Sequence, residues 1–141
     1  MHKAFGEQVV LDGLSLDVPE GGTTVLLGYS GSGKSVLIKH LVGLLRPDAG
    51  RIFLDDLEVT HLSEAELYPV RKRCAMVFQH ATLFDSMTCV DNVALPLREH
   101  TELDENTVRI MSRLKLEVVN LGGFQDLMPS QLSGGMIKRA A

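Results

Sequence analysis

Several residue classes are scarce or missing in this 141-residue sequence. It has no tryptophan, its aromatic content is 5%, and only two of its residues are cysteine. No apolar run approaches the roughly 18 residues that a membrane-spanning helix needs. The first residues, MHKAFGEQ, lack the apolar centre of a signal peptide. These absences argue against a membrane-embedded or exported chain, and we expect a cytosolic setting.

The sequence also has few basic residues and shows no metal-binding pattern. The sequence has 14 Lys plus Arg against 18 Asp plus Glu, a net charge of −4, whereas nucleic-acid-binding domains usually carry a basic stripe. We therefore expect no nucleic-acid partner. Cys74 and Cys89 match no zinc spacing and lie in apolar runs, which predicts inert buried thiols. The five histidines are scattered, which predicts solvated side chains and no metal site built on histidine.

Short apolar runs predict β structure in the first half of the chain. The clearest are residues 23–28 (TTVLLG), 51–56 (RIFLDD) and 74–79 (CAMVFQ). The first is continuously apolar and includes β-branched residues, a composition typical of a strand covered on both faces. Ahead of it, residues 9–19 alternate around Asp12-Gly13, which predicts a short hairpin ending at Pro19.

Helical patterns are present throughout and dominate the second half. An apolar stripe over residues 36–45 stops before Pro47, and Ser63 with Glu66 forms a capping box at a second helix start. Further helical segments are predicted for residues 88–99, residues 104–117 and a stretch that starts at Ser133. No strong strand follows Gln79. The fold class is therefore α/β, with a core over residues 1–84 and a helical part over residues 85–141.

A glycine- and serine-rich loop, GYSGSGKSV (residues 28–36), lies between a predicted strand and a predicted helix. Gly28, Gly33, Lys34 and Ser35 satisfy the pattern G-x-x-x-x-G-K-[ST]. Glycines let backbone N–H groups turn inward to form an anion site, which the start of the following helix reinforces. Lys34 adds a cation for the β and γ phosphates, and Ser35 offers a hydroxyl to Mg²⁺. A flexible linker would explain the glycines but not this lysine and serine, so the loop predicts a triphosphate site.

Two further motifs narrow the nucleotide-binding class. Gln79 ends the run CAMVFQ, and residues 132–136 (LSGGM) form a second small-residue loop that leads into a helix. With three motifs in this order, the chain resembles the nucleotide-binding domain of ABC transporters over all 141 residues. The resemblance implies a P-loop NTPase fold, with a RecA-like α/β core and a helical subdomain, incomplete at the C-terminus.

The resemblance implies a role for each motif. ATP would be held by a Walker A loop made of Gly28, Tyr29, Ser30, Gly31, Ser32, Gly33, Lys34, Ser35 and Val36, and by a signature made of Ser133, Gly134, Gly135 and Met136, where the family usually has glutamine at the last position. Phe5 lies where the family places an aromatic that stacks on adenine, although it could be a plain hydrophobic anchor. Lys34 and Gln79 would be catalytic, and Ser35 and Gln79 would contact Mg²⁺.

The sequence around these motifs, which has Val36 where most ABC proteins have threonine, is similar to the ATPases of Mla-type phospholipid transporters. This similarity implies ATP hydrolysis that powers phospholipid transport, at the cytoplasmic face of the inner membrane. The implied partners are a second ATPase subunit in an ATP-sandwich homodimer, a membrane permease contacted through residues near 80–95, and an MCE-domain lipid-binding protein. Three alternatives stay open: the ATPase of an amino-acid or other solute importer, a soluble ABC ATPase without a permease, and a non-catalytic nucleotide-binding module.

One part of the family pattern has no counterpart in these residues. The family continues past the signature helix with an apolar strand that ends in Asp-Glu, and later with a switch histidine. Residues 54–58 (LDDLE) have acidic residues after an apolar strand, but they precede Gln79 and so lie in the wrong place. We therefore expect these 141 residues alone to bind nucleotide weakly and to hydrolyse it negligibly.

Overall fold

The computed structural model describes residues 1–79 and 82–141. The chain divides into two compact units, Met1–Met76 and Val77–Ala141. The domain boundary predicted between residues 84 and 85 stays a prediction. Within the two described ranges, no helix is both long enough and apolar enough to cross a membrane.

The first unit contains two small hairpins and two helices. Its elements in chain order are β1 (Lys3–Phe5), β2 (Gln8–Leu11), α1 (Lys34–Leu41), β3 (Phe53–Leu54), β4 (Leu57–Glu58) and α2 (Glu64–Arg71). β1 pairs antiparallel with β2, and β3 pairs antiparallel with β4. A small apolar core joins Ile52 and Val59 to Leu67 and Val70 of α2.

Both helices of the first unit begin close to where the sequence places them. At α2 the predicted capping box is confirmed: the Ser63 N–H donates to the Glu66 carboxylate at 2.8 Å, and the Glu66 N–H donates to Ser63 Oγ at 3.4 Å. Such a cap contributes about 1 kcal/mol to helix stability. Helix α1 ends at Leu41, earlier than predicted, because Gly43 has a φ of 69° that is incompatible with a continuing helix.

The first hairpin turns at a different place from the one predicted. Its turn contains Gly6, with a φ of 60°, and Phe5 pairs with Gln8 across it. Gly13 also has a positive φ, but the chain does not fold back on itself there. The Gly13 N–H donates to His2 Nδ1 at 3.1 Å, and the next residue bonds to Met1. The prediction of a hairpin around Asp12-Gly13 is therefore wrong.

Two of the three predicted strands form no ladder. Residues 23–28 and 74–79 have no strand assignment and make no backbone pairs with a strand in the described ranges. Val25 and Leu27 are 70% and 90% exposed, so the expected burial on both faces is also wrong. Composition favours a strand at these positions, but strands form only with backbone partners, and the described residues provide none. The third predicted strand shortens to β3, because Asp55 adopts a φ of 53° and starts the turn into β4.

The second unit is helical, as predicted. Its elements are α3 (Cys89–His100), α4 (Glu105–Val118), a 3₁₀ turn (Pro129–Gln131) and α5 (Gly134–Ala140). Side chains of Thr88, Asp104 and Ser133 cap the three α-helices. The buried core of this unit consists of Cys89, Val90, Leu116, Leu121 and Leu132. In the described ranges no strand follows Gln79, which confirms the prediction for this part of the chain.

Two predictions about single residues need correction. His40 is fully buried in the first unit and not solvated; its Nδ1 bonds to the Val36 carbonyl oxygen at 2.7 Å. Its place in the last turn of α1, facing inward, follows from packing and not from its polarity. Cys89 is buried as predicted, and burial raises the pKa of its thiol, whereas Cys74 is only partly buried.

Candidate functional site

The loop of residues 28–36 runs into the first turn of α1, and at Gly33 it lies close to the first hairpin. Gly33 immediately precedes α1 and has a φ of 86°. A Cβ atom at Gly33 would lie 3.0 Å from Val10 Cγ1 and 3.1 Å from the Val10 carbonyl oxygen. Glycine is therefore required at this position for two reasons, the left-handed backbone and the close approach of β2.

The ammonium group of Lys34 closes the loop. Its Nζ donates to the carbonyl oxygens of Gly28 and Tyr29, both at 2.7 Å, and approaches Ser32 Oγ at 3.3 Å. In the described part of the chain no carboxylate pairs with Lys34. Its charge is therefore balanced only by neutral oxygens, and an anionic ligand that reached the loop would be a stronger acceptor than these carbonyls.

The start of α1 presents unpaired backbone donors to the same loop. Leu37 is the first residue of the helix whose N–H is bonded, to the Gly33 carbonyl oxygen at 2.8 Å. Within residues 1–79 and 82–141, the N–H groups of Lys34, Ser35 and Val36 find no acceptor. Free N–H groups at a helix start, beside an ammonium group that has no carboxylate partner, are the chemistry that binds phosphate. These residues therefore fit a phosphate group.

The remaining residues of the loop differ in exposure. Ser35 is exposed, so its hydroxyl is available to a ligand, whereas Val36 is partly buried and offers no hydroxyl. In the described ranges no cluster of three or more His, Cys, Asp or Glu residues could hold a metal ion. A cation at this loop would therefore take most of its ligands from the phosphate oxygens and water.

A cavity of about 280 Å³ borders the loop. Its lining combines loop residues, including Gly28, Ser32 and Lys34, with five leucines, including Leu26 and Leu27. Phosphate can bind only at the polar lining residues, because leucine side chains offer no hydrogen bonds. The leucine side chains of this cavity are therefore no part of the candidate phosphate site.

Phe5 belongs to the same unit as the loop and stands at the end of β1. It is 46% exposed, which leaves ring surface for a ligand. The hairpin that carries Phe5 also carries Val10, the residue that a Cβ atom at Gly33 would meet. Phe5 and the phosphate loop therefore both adjoin the first hairpin, Phe5 as part of β1 and the loop through Gly33 next to β2.

The other predicted site residues belong to the second unit. Gln79 is exposed and lies in a bend. Residues 80 and 81, with which the predicted permease contact near 80–95 begins, lie outside the described residues. The catalytic and metal-binding roles of Gln79 stay predictions.

The glycines of the LSGGM loop are not required by the fold of the chain itself. Ser133 caps α5, with its Oγ accepting from the Met136 N–H at 3.3 Å. A Cβ atom at Gly134 or Gly135 would meet nothing within 4 Å, and neither residue has a positive φ. A ligand or a second subunit that approached this backbone closely would explain why both positions lack a side chain.

Sequence reasoning missed two polar side chains that organise these regions. Asn92, in α3, clamps the preceding loop: its Nδ2 donates to the carbonyl oxygens of Phe84, Met87 and Thr88, and its Oδ1 accepts from the Phe84 N–H at 2.7 Å. Asp48 accepts from Lys3, and this contact lowers the pKa of its carboxyl group. Neither residue is part of a recognisable motif: Asn92 bonds to backbone groups four to eight residues before it, and Asp48 bonds to Lys3, 45 residues before it.

The sequence and the fold both match known proteins. A sequence model of the ABC transporter family matches residues 11–141. The intermembrane phospholipid transport system ATP-binding protein MlaF of Haemophilus influenzae is 48% identical over 136 residues, which is 96% of this chain and 52% of that protein. MlaF of Escherichia coli K12 is 46% identical over the same length, 51% of that protein. The predicted resemblance to Mla-type ATPases is confirmed.

A second group of relatives carries another name. The probable ribonucleotide transport ATP-binding protein mkl of Mycobacterium leprae is 46% identical over 140 residues, 99% of this chain and 40% of that protein. The chain therefore spans about half the length, or less, of the curated relatives it matches.

Solved structures agree with the sequence comparison. A dimeric ATP-binding cassette, MJ0796, in a post-hydrolysis state bound to ADP and Pi, superposes with a TM-score of 0.84 at 29% identity, over 99% of this chain and 65% of that one. The predicted fold class, a P-loop NTPase fold with an α/β core and a helical part, is confirmed by this match. The chain therefore belongs to the ABC transporter family, with the fold of its ATP-binding cassettes.

Proposed function

We propose that this chain is the nucleotide-binding part of an ABC transporter ATPase, and that ATP binding and hydrolysis by the whole protein power phospholipid transport. The observation that carries the proposal is the loop at the start of α1, where the ammonium group of Lys34, bonded only to neutral oxygens, lies beside three unbonded N–H groups. A site of this kind is complementary to the concentrated negative charge of a triphosphate.

Each side chain of the site has a stated task in this proposal. Lys34 exchanges its bonds to Gly28 and Tyr29 for bonds to phosphate oxygens, and the hydroxyl of Ser35 contacts Mg²⁺. When bound, Mg²⁺ neutralises charge on the phosphate oxygens. Phe5 contacts the adenine ring, and Gln79 contacts the cation and the attacking water.

The whole protein would work as a homodimer that encloses ATP between subunits. In this arrangement the loop and Phe5 of one subunit face Ser133, Gly134, Gly135 and Met136 of the second. The open space around both glycines supports this proposal, because a second molecule can approach the backbone there. The solved relative MJ0796 is described as dimeric.

Replacing Gly135 by alanine tests the proposed dimer contact. Alanine should not destabilise the fold, since its Cβ meets nothing and alanine favours a helix by about 1 kcal/mol over glycine. If a second subunit approaches this backbone, the full-length protein should lose at least about tenfold in ATPase rate while it keeps its affinity for ATP in the monomer. Steady-state ATPase assays and analytical ultracentrifugation with ATP measure both effects. An unchanged rate, together with unchanged ATP-dependent dimerisation, would sink the proposed contact.

Our proposal for the branch of the family is supported by the relatives and not by the site. MlaF proteins, named for intermembrane phospholipid transport, match at 46–48% identity, and mkl, named for probable ribonucleotide transport, matches at 46%. We favour the phospholipid branch, with a permease and an MCE-domain protein as partners and a peripheral place at the cytoplasmic face of the inner membrane. Transport of a soluble solute such as a ribonucleotide is the second candidate.

A cargo experiment separates these two candidates. The full-length protein is purified with its co-purifying membrane partners and reconstituted into nanodiscs. We expect the ATPase rate to change with the phospholipid content of the nanodisc and to ignore added ribonucleotides. A rate that responds to ribonucleotides and not to phospholipid would select the second candidate. Recovery of a solute-binding protein in place of an MCE-domain protein would also contradict the phospholipid branch.

A further inference from the structure

The strand that carries Phe5 is attached to the segment after α1 by a compact polar contact. Asp48 Oδ1 accepts from Lys3 Nζ at 2.8 Å, and Asp48 Oδ2 accepts from the Ala4 N–H at 2.7 Å. The backbone adds two more bonds: the His2 N–H donates to the Ala49 carbonyl oxygen at 2.8 Å, and the Asp48 N–H donates to the His2 carbonyl oxygen at 2.9 Å. One carboxylate therefore holds both a side chain and the backbone of β1.

The same lysine lies over the aromatic ring. Lys3 Nζ is 5.4 Å from the centroid of the Phe5 ring, within the range of a cation–π contact. The Lys3 side chain is only 16% exposed, although that of its partner Asp48 is 51% exposed. Because the ammonium group donates to Asp48, the ion pair favours the position of the cation near the ring.

This arrangement addresses a cost of binding. A half-exposed phenylalanine at the end of a three-residue strand can populate several rotamers, and fixing one of them on binding costs conformational entropy. A cation held beside the ring restricts these rotamers before the ligand arrives. The ring surface that remains exposed is then available for a flat, π-bonded group.

We propose that Lys3 is a positioning residue, anchored by Asp48, that orients the Phe5 ring for stacking against the base of a nucleotide. The inference rests on the proposed nucleotide function and deepens it, since it concerns recognition of the base and not of the phosphates. Lys3 and Asp48 touch neither reacting atoms nor, in this proposal, the ligand itself.

The proposal predicts a selective loss of affinity. In the full-length protein, Lys3→Met should weaken the binding of ATP by about two- to fivefold. Binding of inorganic tripolyphosphate, which has no base, should stay within twofold of the wild type. Lys3→Arg should retain most of the wild-type affinity for ATP, because a guanidinium group can keep the contacts with both the carboxylate and the ring. Isothermal titration calorimetry with the two ligands measures the ratio of their affinities.

A second cation–aromatic pair in the same unit offers a matched control. Tyr68 lies on α2 and Lys72 directly follows it, and Lys72 Nζ is 4.7 Å from the centroid of the Tyr68 ring. Lys72→Met removes an equivalent contact away from Phe5, so it should leave the affinities for both ligands unchanged. Asp48→Asn provides an independent variant, since it keeps an acceptor for the Ala4 N–H but loses the ion pair; it should reproduce part of the Lys3→Met effect.

The outcomes separate this inference from the function on which it rests. If Phe5→Ala does not lower the affinity for ATP relative to tripolyphosphate, the stacking role of Phe5 fails. If Phe5→Ala lowers that ratio but neither Lys3→Met nor Asp48→Asn does, the positioning role is overturned and the nucleotide site stands. Equal weakening of both ligands by Lys3→Met would also overturn it, because it would mean that Lys3 supports the fold in general.

Discussion

Replacing Lys34 by methionine is expected to weaken ATP binding to the full-length protein by about 10- to 100-fold and to remove measurable hydrolysis. Methionine keeps the length of the side chain but removes the ammonium group, whose partners are now the carbonyl oxygens of Gly28 and Tyr29. The variant loses a charge-assisted bond to phosphate and the contact that closes the loop. Calorimetric titration with ATP and a steady-state phosphate-release assay measure the two effects.

A second lysine on the same helix is the control for this prediction. Lys39 lies in the last turn of α1, and the described part of the chain shows no ion pair for it. Lys39→Met removes the same charge from α1 but not from the loop, so it should leave ATP affinity within about twofold of the wild type, as expected for a surface charge. If the two variants behaved alike, or if Lys34→Met still bound ATP normally, the loop would not be the phosphate site.

The features that sequence reasoning predicted correctly depend on residues that are close together along the chain. The capping box of Ser63 and Glu66 spans four residues, and its two bonds form as expected. The helices of the second unit follow from apolar periodicity and start at capping residues such as Thr88 and Asp104. The glycine requirement at Gly33 is likewise a property of the loop pattern, and the structure adds the reason, the contact with Val10.

The features that it predicted wrongly depend on partners distant along the chain. Residues 23–28 have a composition typical of a buried strand, but a strand exists only when another segment offers its backbone groups. The sequence predicts a hairpin turn at Asp12-Gly13, whereas the first hairpin turns at Gly6, because both glycines permit a positive φ and only strand pairing selects one of them. The burial of His40 is also invisible in the sequence, since its position is fixed by packing.

The candidate site also contains residues that are close together along the chain, which the sequence predicts, and residues that are distant along it, which the sequence does not predict. The residues that contact phosphate in our proposal are consecutive, so a pattern of eight residues was enough to locate them. The residues that hold Phe5 in place are Lys3 and Asp48, which are 45 positions apart. Such a pair has no sequence signature and becomes apparent only when the fold brings the two side chains together.

The loop glycines supply a prediction in which strain and steric clash can be measured separately. Gly33 and Gly31 have almost the same φ, 86° and 83°, but of the two only Gly33 would bring an added Cβ atom against Val10. Gly31→Ala should cost about 1–2 kcal/mol of unfolding free energy, the penalty for a left-handed residue that has a Cβ. Gly33→Ala should cost that amount and about 1–3 kcal/mol more, since its Cβ would press on a backbone oxygen that cannot move aside easily.

Denaturant unfolding of the two variants, with the wild type as reference, gives this difference directly. The phosphate ligand gives a second measure: if β2 has to retreat from the loop in Gly33→Ala, affinity for tripolyphosphate should fall further than in Gly31→Ala. Equal unfolding free energies for the two variants would contradict the role given to the Val10 contact. In that case the left-handed backbone alone would explain the glycine at position 33, and the first hairpin would not be held by the phosphate loop.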